Sequence, residues 1–228
     1  KNIAVITTYV DAYIFPQMIQ HVERVLSNAG YTVQISFTYN RISREKSILE
    51  GIVAKDDIAG VIAEPTKSSL PNPNLKYYEK LRKKHVPVLF MNTYYEALDA
   101  PHVSMDDIMA GKIATQYVIG KGHKRIGGVF KLDDSQGSRR YFGFLEAMNE
   151  ASLRVTGNDL LWFDTVDIEN EENVRQLAER IRKRLSTRTA LVLYNDESAY
   201  KLINEFNKMG LKIPDDISIV GIDDTVLS

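Results

Sequence analysis

The sequence has no cysteine among its 228 residues. Disulfide bonds, thiol nucleophiles and metal sites built on thiolates are therefore excluded. This absence is typical of a reducing compartment, although a periplasmic protein can also lack cysteine. The four histidines are scattered and show no metal-ligand spacing: His21, His85, His102 and His123. We therefore expect no metal site and no bound cofactor.

The sequence also lacks an excess of either charge and a long apolar run. Lys and Arg number 29 and Asp and Glu number 30, which gives a formal net charge of −1. Nucleic-acid-binding domains usually carry a strong basic excess, so we expect no direct DNA contact by this chain. No run approaches the ~18 apolar residues of a membrane span. The chain begins at Lys1 in a strand-like run without an apolar signal segment, and we interpret it as a fragment of a longer protein, so this end does not indicate where the protein is targeted.

Motifs for nucleotide binding and hydrolysis are absent. The segment TTYVDAYIF at 7–15 has no glycine, so a dinucleotide pyrophosphate has no close backbone approach there. GKGHKRIGG at 120–128 lies between a helix and a strand, the reverse of the nucleotide-binding order, and neither GxxxxGK[ST] nor GxSxG occurs. The acid pairs Asp133–Asp134 and Asp223–Asp224 could suggest glycoside hydrolysis. Adjacent side chains point apart, however, and we expect no enzymatic activity.

Short β-branched runs alternate with longer amphipathic segments along the whole chain. The predicted strands are 3–7, 32–37, 60–63, 86–91, 126–130, 160–163, 190–193 and 217–221. The predicted helices are 15–29, 43–54, 75–84, 108–119, 138–151, 171–185 and 198–209. Strand–helix–strand units spaced by about 30 residues predict right-handed crossovers and parallel sheets.

The fold class predicted is α/β, with two lobes that each contain a parallel sheet flanked by helices. Two sheets of five or six strands are favoured over a single sheet of eight. The polar segment KLDDSQGS at 131–138 lies between two strand–helix series. We therefore place the boundary there, with an N-terminal lobe at 1–131 and a C-terminal lobe at 132–228.

Polar and aromatic side chains follow one predicted strand after another. Glu64 and Lys67 follow the third strand, Asn92 the fourth and Lys131 the fifth. In open parallel sheets ligands bind beyond the carboxyl ends of the strands. Carboxylates and amides can bond vicinal hydroxyls, and aromatic rings can cover the apolar face of a sugar. We expect a small neutral polyol as ligand, while for each single residue a helix cap or a solvated loop remains the alternative.

Four segments resemble the effector-binding domain of LacI/GalR-type transcriptional repressors, whose fold is shared with periplasmic sugar-binding proteins. They are IAVITTYVDAYIFPQMIQHVE, VSMDDIMAGKIATQYVIGKGHKRIGGVF, RRYFGFLEAM and LYNDESAYKLINEFNKMGLKIPDDISIVGIDD. Within that family, TTYVDAYIFP, EPTKSSL, FKLDDSQG and YNDE are similar to the arabinose-responsive members. The resemblance implies a sensor for L-arabinose or a related pentose, joined in the full protein to a GntR-type DNA-binding head that this chain lacks.

The resemblance also implies a set of ligand-binding residues. The positions carried over from family motifs are Phe15, Asp106, Gln136, Arg140, Phe163 (or its neighbour Trp162), Asn195 and Asp223. The positions that rest on the arabinose-responsive members together with the strand-end argument are Tyr13, Glu64, Lys67, Asn92 and Lys131. Arg140 and Asp223 are expected to bond ligand hydroxyls in a bidentate manner.

The function implied is sugar-dependent repression by a homodimer, in which sugar binding lowers operator affinity. The alternative is a periplasmic sugar-binding protein of an importer, which would share the ligand site. The string GLKIPDDISIVGIDD is more similar to the repressors. Family members continue past GIDD, whereas this sequence stops at Ser228.

Overall fold

Alternating strands and helices build two separate parallel sheets. The computed structural model describes residues 1–9 and 15–225. The chain divides into two units, Lys1–Met105 and Asp106–Ser228. Each unit has its own sheet with helices on both faces, which confirms the predicted fold class.

The first unit contains a five-stranded sheet with the order β2-β1-β3-β4-β5. Its strands are β1 (Asn2–Thr7), β2 (Thr32–Phe37), β3 (Ile58–Ala63), β4 (Val88–Asn92) and β5 (His102–Ser104), and its helices are α1 (Phe15–Asn28), α2 (Ile42–Val53) and α3 (Leu75–Lys83). Successive side chains of a strand point to opposite faces. Accordingly, Ile3 and Val5 pack with α1, while Ala4 and Ile6 pack with α2 and α3.

The second unit contains a four-stranded sheet with the order β7-β6-β8-β9. Its strands are β6 (Ile126–Lys131), β7 (Leu160–Phe163), β8 (Ala190–Leu193) and β9 (Ser218–Val220), and its helices are α4 (Asp107–Gly120), α5 (Ser135–Glu150), α6 (Glu171–Arg184) and α7 (Asp196–Lys208). Helices α6 and α7 pack on one face of this sheet, and α4 and α5 pack on the other.

The close contact between α4 and α5 depends on two glycines. A Cβ at Gly111 would lie 2.1 Å from the carbonyl oxygen of Arg140, and one at Gly143 would lie 1.9 Å from that of Ile108. Neither distance is sterically possible, so any larger residue would push the helices apart. The contact brings the first turn of α4, which holds Asp107, beside the middle of α5.

The structure corrects the predicted lobe boundary. Strand β6 pairs with β7 and β8, and α4 packs against α5, so both elements belong to the second unit. The division therefore lies between Met105 and Asp106, and not after Lys131. The second sheet has four strands in the described residues, fewer than the five or six predicted.

Most predicted elements are present within a few residues of their expected ends. Two differences affect the site: α5 begins at Ser135 instead of 138, which places Gln136 inside a helix, and β5 was not predicted. Within residues 1–9 and 15–225, no helix has the length and apolar character needed to cross a membrane.

Candidate functional site

A buried arginine lies at the centre of the polar side chains of the second unit. The Arg140 side chain is 2% exposed. Its Nε donates to Asp107 Oδ1 at 2.8 Å, and its Nη2 donates to Asp223 Oδ1 at 2.9 Å. Its Nη1 donates to the backbone oxygen of Tyr194 at 2.6 Å and to Asp223 Oδ2 at 3.4 Å. We call Arg140, Asp107, Asp223, Gln136 and Tyr194 the Arg140 cluster.

Gln136 and Tyr194 complete the Arg140 cluster. The Tyr194 hydroxyl donates to Gln136 Oε1 at 3.3 Å, and Gln136 Nε2 donates to Asp107 Oδ1 at 3.4 Å. The Arg140 guanidinium carbon also lies 5.0 Å from the centre of the Tyr194 ring. The cluster therefore presents a cation, two carboxylates, an amide and an aromatic face at the carboxyl ends of β8 and β9, the first turn of α4 and the N-terminal half of α5.

Burial and charge act in opposite directions on the ionisable groups of the Arg140 cluster. Burial opposes the charge on Arg140, but Tyr194, Asp223 and Asp107 outweigh burial and raise its pKa above the usual value. For Asp107, burial outweighs the attraction of Arg140, so its pKa is raised above the usual value of an aspartate. The guanidinium thus keeps its charge, and with it its capacity to donate to oxygen atoms.

Lys131 lies at the end of β6, beside a second set of acids. Its Nζ donates to Asp134 Oδ2, and it lies 3.9 Å from Asp133 Oδ1 and 6.0 Å from the centre of the Tyr194 ring. Asp133 Oδ2 accepts from Thr165 N at 3.1 Å and from its hydroxyl at 2.7 Å. Lys131 is therefore neutralised by neighbouring carboxylates, and it approaches the Arg140 cluster through Tyr194.

In the first unit, one buried carboxylate connects the ends of three strands. Glu64 follows β3, and its Oε2 accepts from Thr8 N at 2.7 Å, from Thr8 Oγ1 at 2.6 Å and from Thr7 Oγ1 at 3.1 Å. Its Oε1 accepts from Asn92 Nδ2 at 2.8 Å. We call Glu64, Thr7, Thr8 and Asn92 the Glu64 cluster. It presents acceptor and hydroxyl groups at the carboxyl ends of β1, β3 and β4.

Three of the predicted polar positions have left-handed backbone conformations. The φ angles are +49° at Lys67, +68° at Asn92 and +110° at Asp223. Such angles are uncommon in residues other than glycine, and they recur at functional sites, where the surrounding structure compensates for the strain. Among the described residues, the same conformation is found at Tyr39, Asn40, His85, Ser152 and Asp224, so the φ angles agree with a site at these positions but do not by themselves define one.

Three other predicted residues have structural roles that are visible in the fold. Phe163 is 2% exposed and packs in the core between the sheet and α6. Asn195 caps α7, with its Oδ1 accepting from Ser198 N at 2.9 Å. Asp106 is exposed and caps α4 by accepting from Met109 N at 3.0 Å. The structure does not place Asp106 with Arg140, which bonds its neighbour Asp107 instead.

The remaining predicted residues are in the first unit. Phe15 is buried at the start of α1. Lys67 is half-buried, and its backbone N–H donates to Asn40 Oδ1 at 2.7 Å. Tyr13 lies outside the described residues. In the second unit, Trp162, the alternative to Phe163, packs against Phe130 and Tyr141 on the other face of the sheet.

Sequence reasoning did not identify Asp107 and Tyr194 as site residues. Asp107 could not be distinguished from the adjacent Asp106, because helix capping and ligand contact both favour aspartate at the start of a helix. Tyr194 directly follows the strand predicted at 190–193 and was not selected, although its backbone oxygen and its ring both contact Arg140. In the sequence, Gly111 and Gly143 were the signal for a close contact between these two helices, since glycines permit two helix backbones to meet. That contact brings Asp107 to Arg140.

Each cluster by itself offers hydrogen-bonding groups that suit a ligand with several hydroxyls, and the Arg140 cluster adds a ring face. In the described ranges, 1–9 and 15–225, no group of three or more His, Asp or Glu side chains is arranged to hold a metal ion. Phosphate recognition is not favoured, since the buried carboxylates outnumber the buried cations in these clusters.

Comparison with known proteins shows a family match and several curated relatives. The family described as periplasmic binding protein-like domain matches residues 115–228. The arabinose metabolism transcriptional repressor of Halalkalibacterium halodurans is 39% identical over 228 residues, which are 100% of this chain and 60% of that protein. The protein of the same name in Geobacillus stearothermophilus is 39% identical over 98% of this chain and 61% of its own length. Both names describe regulators and not enzymes, and the chain spans about 60% of their length.

The fold is similar to that of a solved transcription regulator. The crystal structure of CcpA of Lactococcus lactis superposes with a TM-score of 0.83 at 22% identity, covering 99% of this chain and 79% of that one. This likeness agrees with the two-sheet α/β architecture described above.

Proposed function

The chain belongs to the periplasmic binding protein-like domain family, and on that basis we propose that it is the effector-binding part of a bacterial transcriptional repressor that responds to L-arabinose or a related pentose. Sugar is bound by polar side chains at the carboxyl ends of the parallel strands. No reaction takes place on the sugar. The names of the two curated relatives support both the regulatory role and the choice of sugar.

The observation that carries the proposal is the hydrogen-bond inventory of Arg140. A guanidinium has five N–H groups. Four are used by Asp107, Asp223 and Tyr194, so one N–H of Nη2 has no acceptor within residues 1–9 and 15–225. A sugar hydroxyl can accept from that N–H and donate to Asp223. Such charge-assisted bonds are about twice as strong as neutral ones.

In the full protein, we propose that this chain forms a homodimer attached to DNA-binding heads in the cytoplasm. Sugar binding favours one conformational state of the sensor and lowers operator affinity. The sugar can shift that equilibrium only by the difference between its affinities for the two states. The near-neutral charge of this chain supports the assignment of DNA contact to another part of the protein.

Thermal unfolding of the chain with a panel of sugars tests the proposal. L-arabinose, D-xylose, D-galactose and D-ribose are compared with D-arabinose, the mirror image of the expected ligand, which controls for solvent effects of sugars. Ligand at about a hundred times its dissociation constant stabilises by roughly 2.7 kcal/mol. For a chain of this size that raises the Tm by roughly 5–11 °C.

The proposal predicts a rise in Tm with L-arabinose or one related pentose and no rise with D-arabinose. An equal rise with every sugar would indicate a solvent effect, and would contradict a specific site. Conversion of any of these sugars to a product would contradict the sensor role.

A further inference from the structure

A second buried carboxylate of the first unit lies away from the strand ends. Glu45 is in the first turn of α2 and is fully buried. Its Oε1 accepts from the hydroxyls of Tyr95 at 2.6 Å and Tyr78 at 3.1 Å. Its Oε2 accepts from the Nδ2 atoms of Asn72 and Asn74, each at 2.8 Å. We call these five residues the Glu45 cluster.

The Glu45 cluster joins α2 and α3 at the cost of desolvating a carboxylate. A buried carboxylate is tolerated only when its oxygens receive enough hydrogen bonds to replace water. Here all four partners in the described residues are neutral donors. Apolar side chains of similar size would pack α2 against α3 without that desolvation cost. The cluster therefore calls for an explanation beyond helix packing.

The Glu45 cluster holds the segment EPTKSSLPNPN at 64–74, which directly follows β3. The Tyr95 hydroxyl accepts from the backbone N–H of Thr66 at 2.8 Å, while Asn72 Nδ2 lies 3.3 Å from the backbone oxygen of Thr66. Asn72 Nδ2 also donates to the Tyr95 hydroxyl at 2.8 Å. Both backbone polar groups of Thr66 are thus bound to partners of Glu45.

Thr66 lies between two residues assigned to sugar binding. Glu64 belongs to the Glu64 cluster, and Lys67 has the left-handed φ of +49°. The N–H of Lys67 donates to Asn40 Oδ1 at 2.7 Å, which fixes the chain on the other side of Thr66. A strained backbone persists only where its surroundings determine it. The Glu45 cluster supplies that constraint for the turn at 64–67.

We propose that Glu45 and Tyr95 are positioning residues for sugar binding by the first unit. They fix Thr66, and through it they set the places of Glu64 and Lys67. This inference rests on the proposed function, in which those two side chains contact the effector. Neither Glu45 nor Tyr95 touches the sugar.

A pair of matched variants, Tyr95→Phe and Tyr78→Phe, tests the proposal. Each removes one buried hydroxyl from the same oxygen of Glu45, and each keeps a ring that contacts Phe90. Only Tyr95 bonds Thr66. We expect both variants to have a lower Tm, and only Tyr95→Phe to bind L-arabinose about tenfold more weakly at a temperature where both are folded. Equal affinities in the two variants would overturn the proposal.

Amide hydrogen exchange supplies a readout that needs no sugar. We expect the Thr66 amide to exchange at least tenfold faster in Tyr95→Phe than in Tyr78→Phe, because the acceptor of the Thr66 N–H is lost. Equal exchange in the two variants would overturn the anchoring role. If the unchanged chain binds no sugar while the exchange differs as expected, the proposed function fails and the anchoring role stands.

Discussion

Arg140 carries its charge where water scarcely reaches it, and its neighbours explain why it stays charged. Two carboxylates and a backbone oxygen surround the guanidinium, which is bonded on three sides. Removing one partner of a buried ion pair costs roughly 3–5 kcal/mol, because the other charge is left without compensation. Asp107 and Asp223 would both be left in this state by Arg140→Ala. Arg140→Lys, which keeps the charge, is therefore the more informative change.

The titration of Asp107 should reflect its burial. Because its pKa in the folded chain is raised above the unfolded value of about 3.9, the folded chain binds more protons between these two pKa values. The stability that Asp107 contributes is thus fully present below the unfolded pKa, and it is lost as the pH rises through the folded pKa. We expect Asp107→Asn, which keeps an acceptor for Arg140 Nε, to remove this dependence.

NMR titration of the carboxyl carbon and unfolding free energies from about pH 3 to about pH 7 check that expectation. The difference in free energy between the unchanged chain and Asp107→Asn should decline with rising pH. A titration of Asp107 at or below the usual aspartate value would show that Arg140 outweighs burial.

Asn195 combines a visible structural role with a predicted binding role, and two variants separate them. Asn195→Ala removes the cap of α7 and should cost about 1 kcal/mol of stability. Asn195→Ser keeps a capping oxygen but removes the amide. If the amide also contacts sugar, the serine variant retains its Tm and loses about tenfold in L-arabinose affinity, measured by calorimetry. Unchanged affinity in the serine variant would leave Asn195 as a cap alone.

The sequence identified several members of the Arg140 cluster, and the limits of that identification are physical. Gln136, Arg140 and Asp223 were selected separately, and the structure brings them into one cluster. The choice of Asp106 over Asp107 could not be made from the sequence, since the two differ by about 100° around the helix axis. Only the packing of α4 on α5 decides which of them faces Arg140.

That packing can be tested through its glycines. Gly111→Ala places a methyl group against the Arg140 backbone and should destabilise the chain by roughly 2–4 kcal/mol. It should also weaken sugar binding, because Asp107 moves with α4. Gly120→Ala is the matched control in the same helix, since a Cβ there meets nothing within 4 Å. Chemical unfolding and calorimetry measure the two effects; equal stability of both variants would contradict the close helix contact.

Helices and long strands were easier to predict than short edge strands. Strands β2, β7 and β8 have the ends that the hydrophobic pattern predicts. Strand β5 has only three residues and two of them are exposed, so it shows no apolar pattern. It forms a strand because it pairs with β4. That pairing depends on the tertiary structure and leaves no local pattern in the sequence.

The error in the lobe boundary has a similar origin. Composition pointed to the polar segment at 131–138, but polar residues there belong to the candidate site and not to a linker. The pairing of β6 with β7 and β8 assigns that region to the second unit. Each unit thus supplies its own set of polar strand ends, the Glu64 cluster in the first and the Arg140 cluster in the second.

Isothermal titration of L-arabinose into the unchanged chain and into Arg140→Lys tests the sensor role most directly. We expect saturable binding to one site per chain, weakened at least tenfold in the lysine variant. The three N–H donors of a compact ammonium cannot replace the planar guanidinium, which already makes four bonds to Asp107, Asp223 and Tyr194 and has a fifth N–H for the sugar. Circular dichroism at the same temperature confirms that the variant is folded. Binding of equal strength in both proteins, or no binding of L-arabinose or any related pentose to the unchanged chain, would contradict a sugar sensor centred on Arg140.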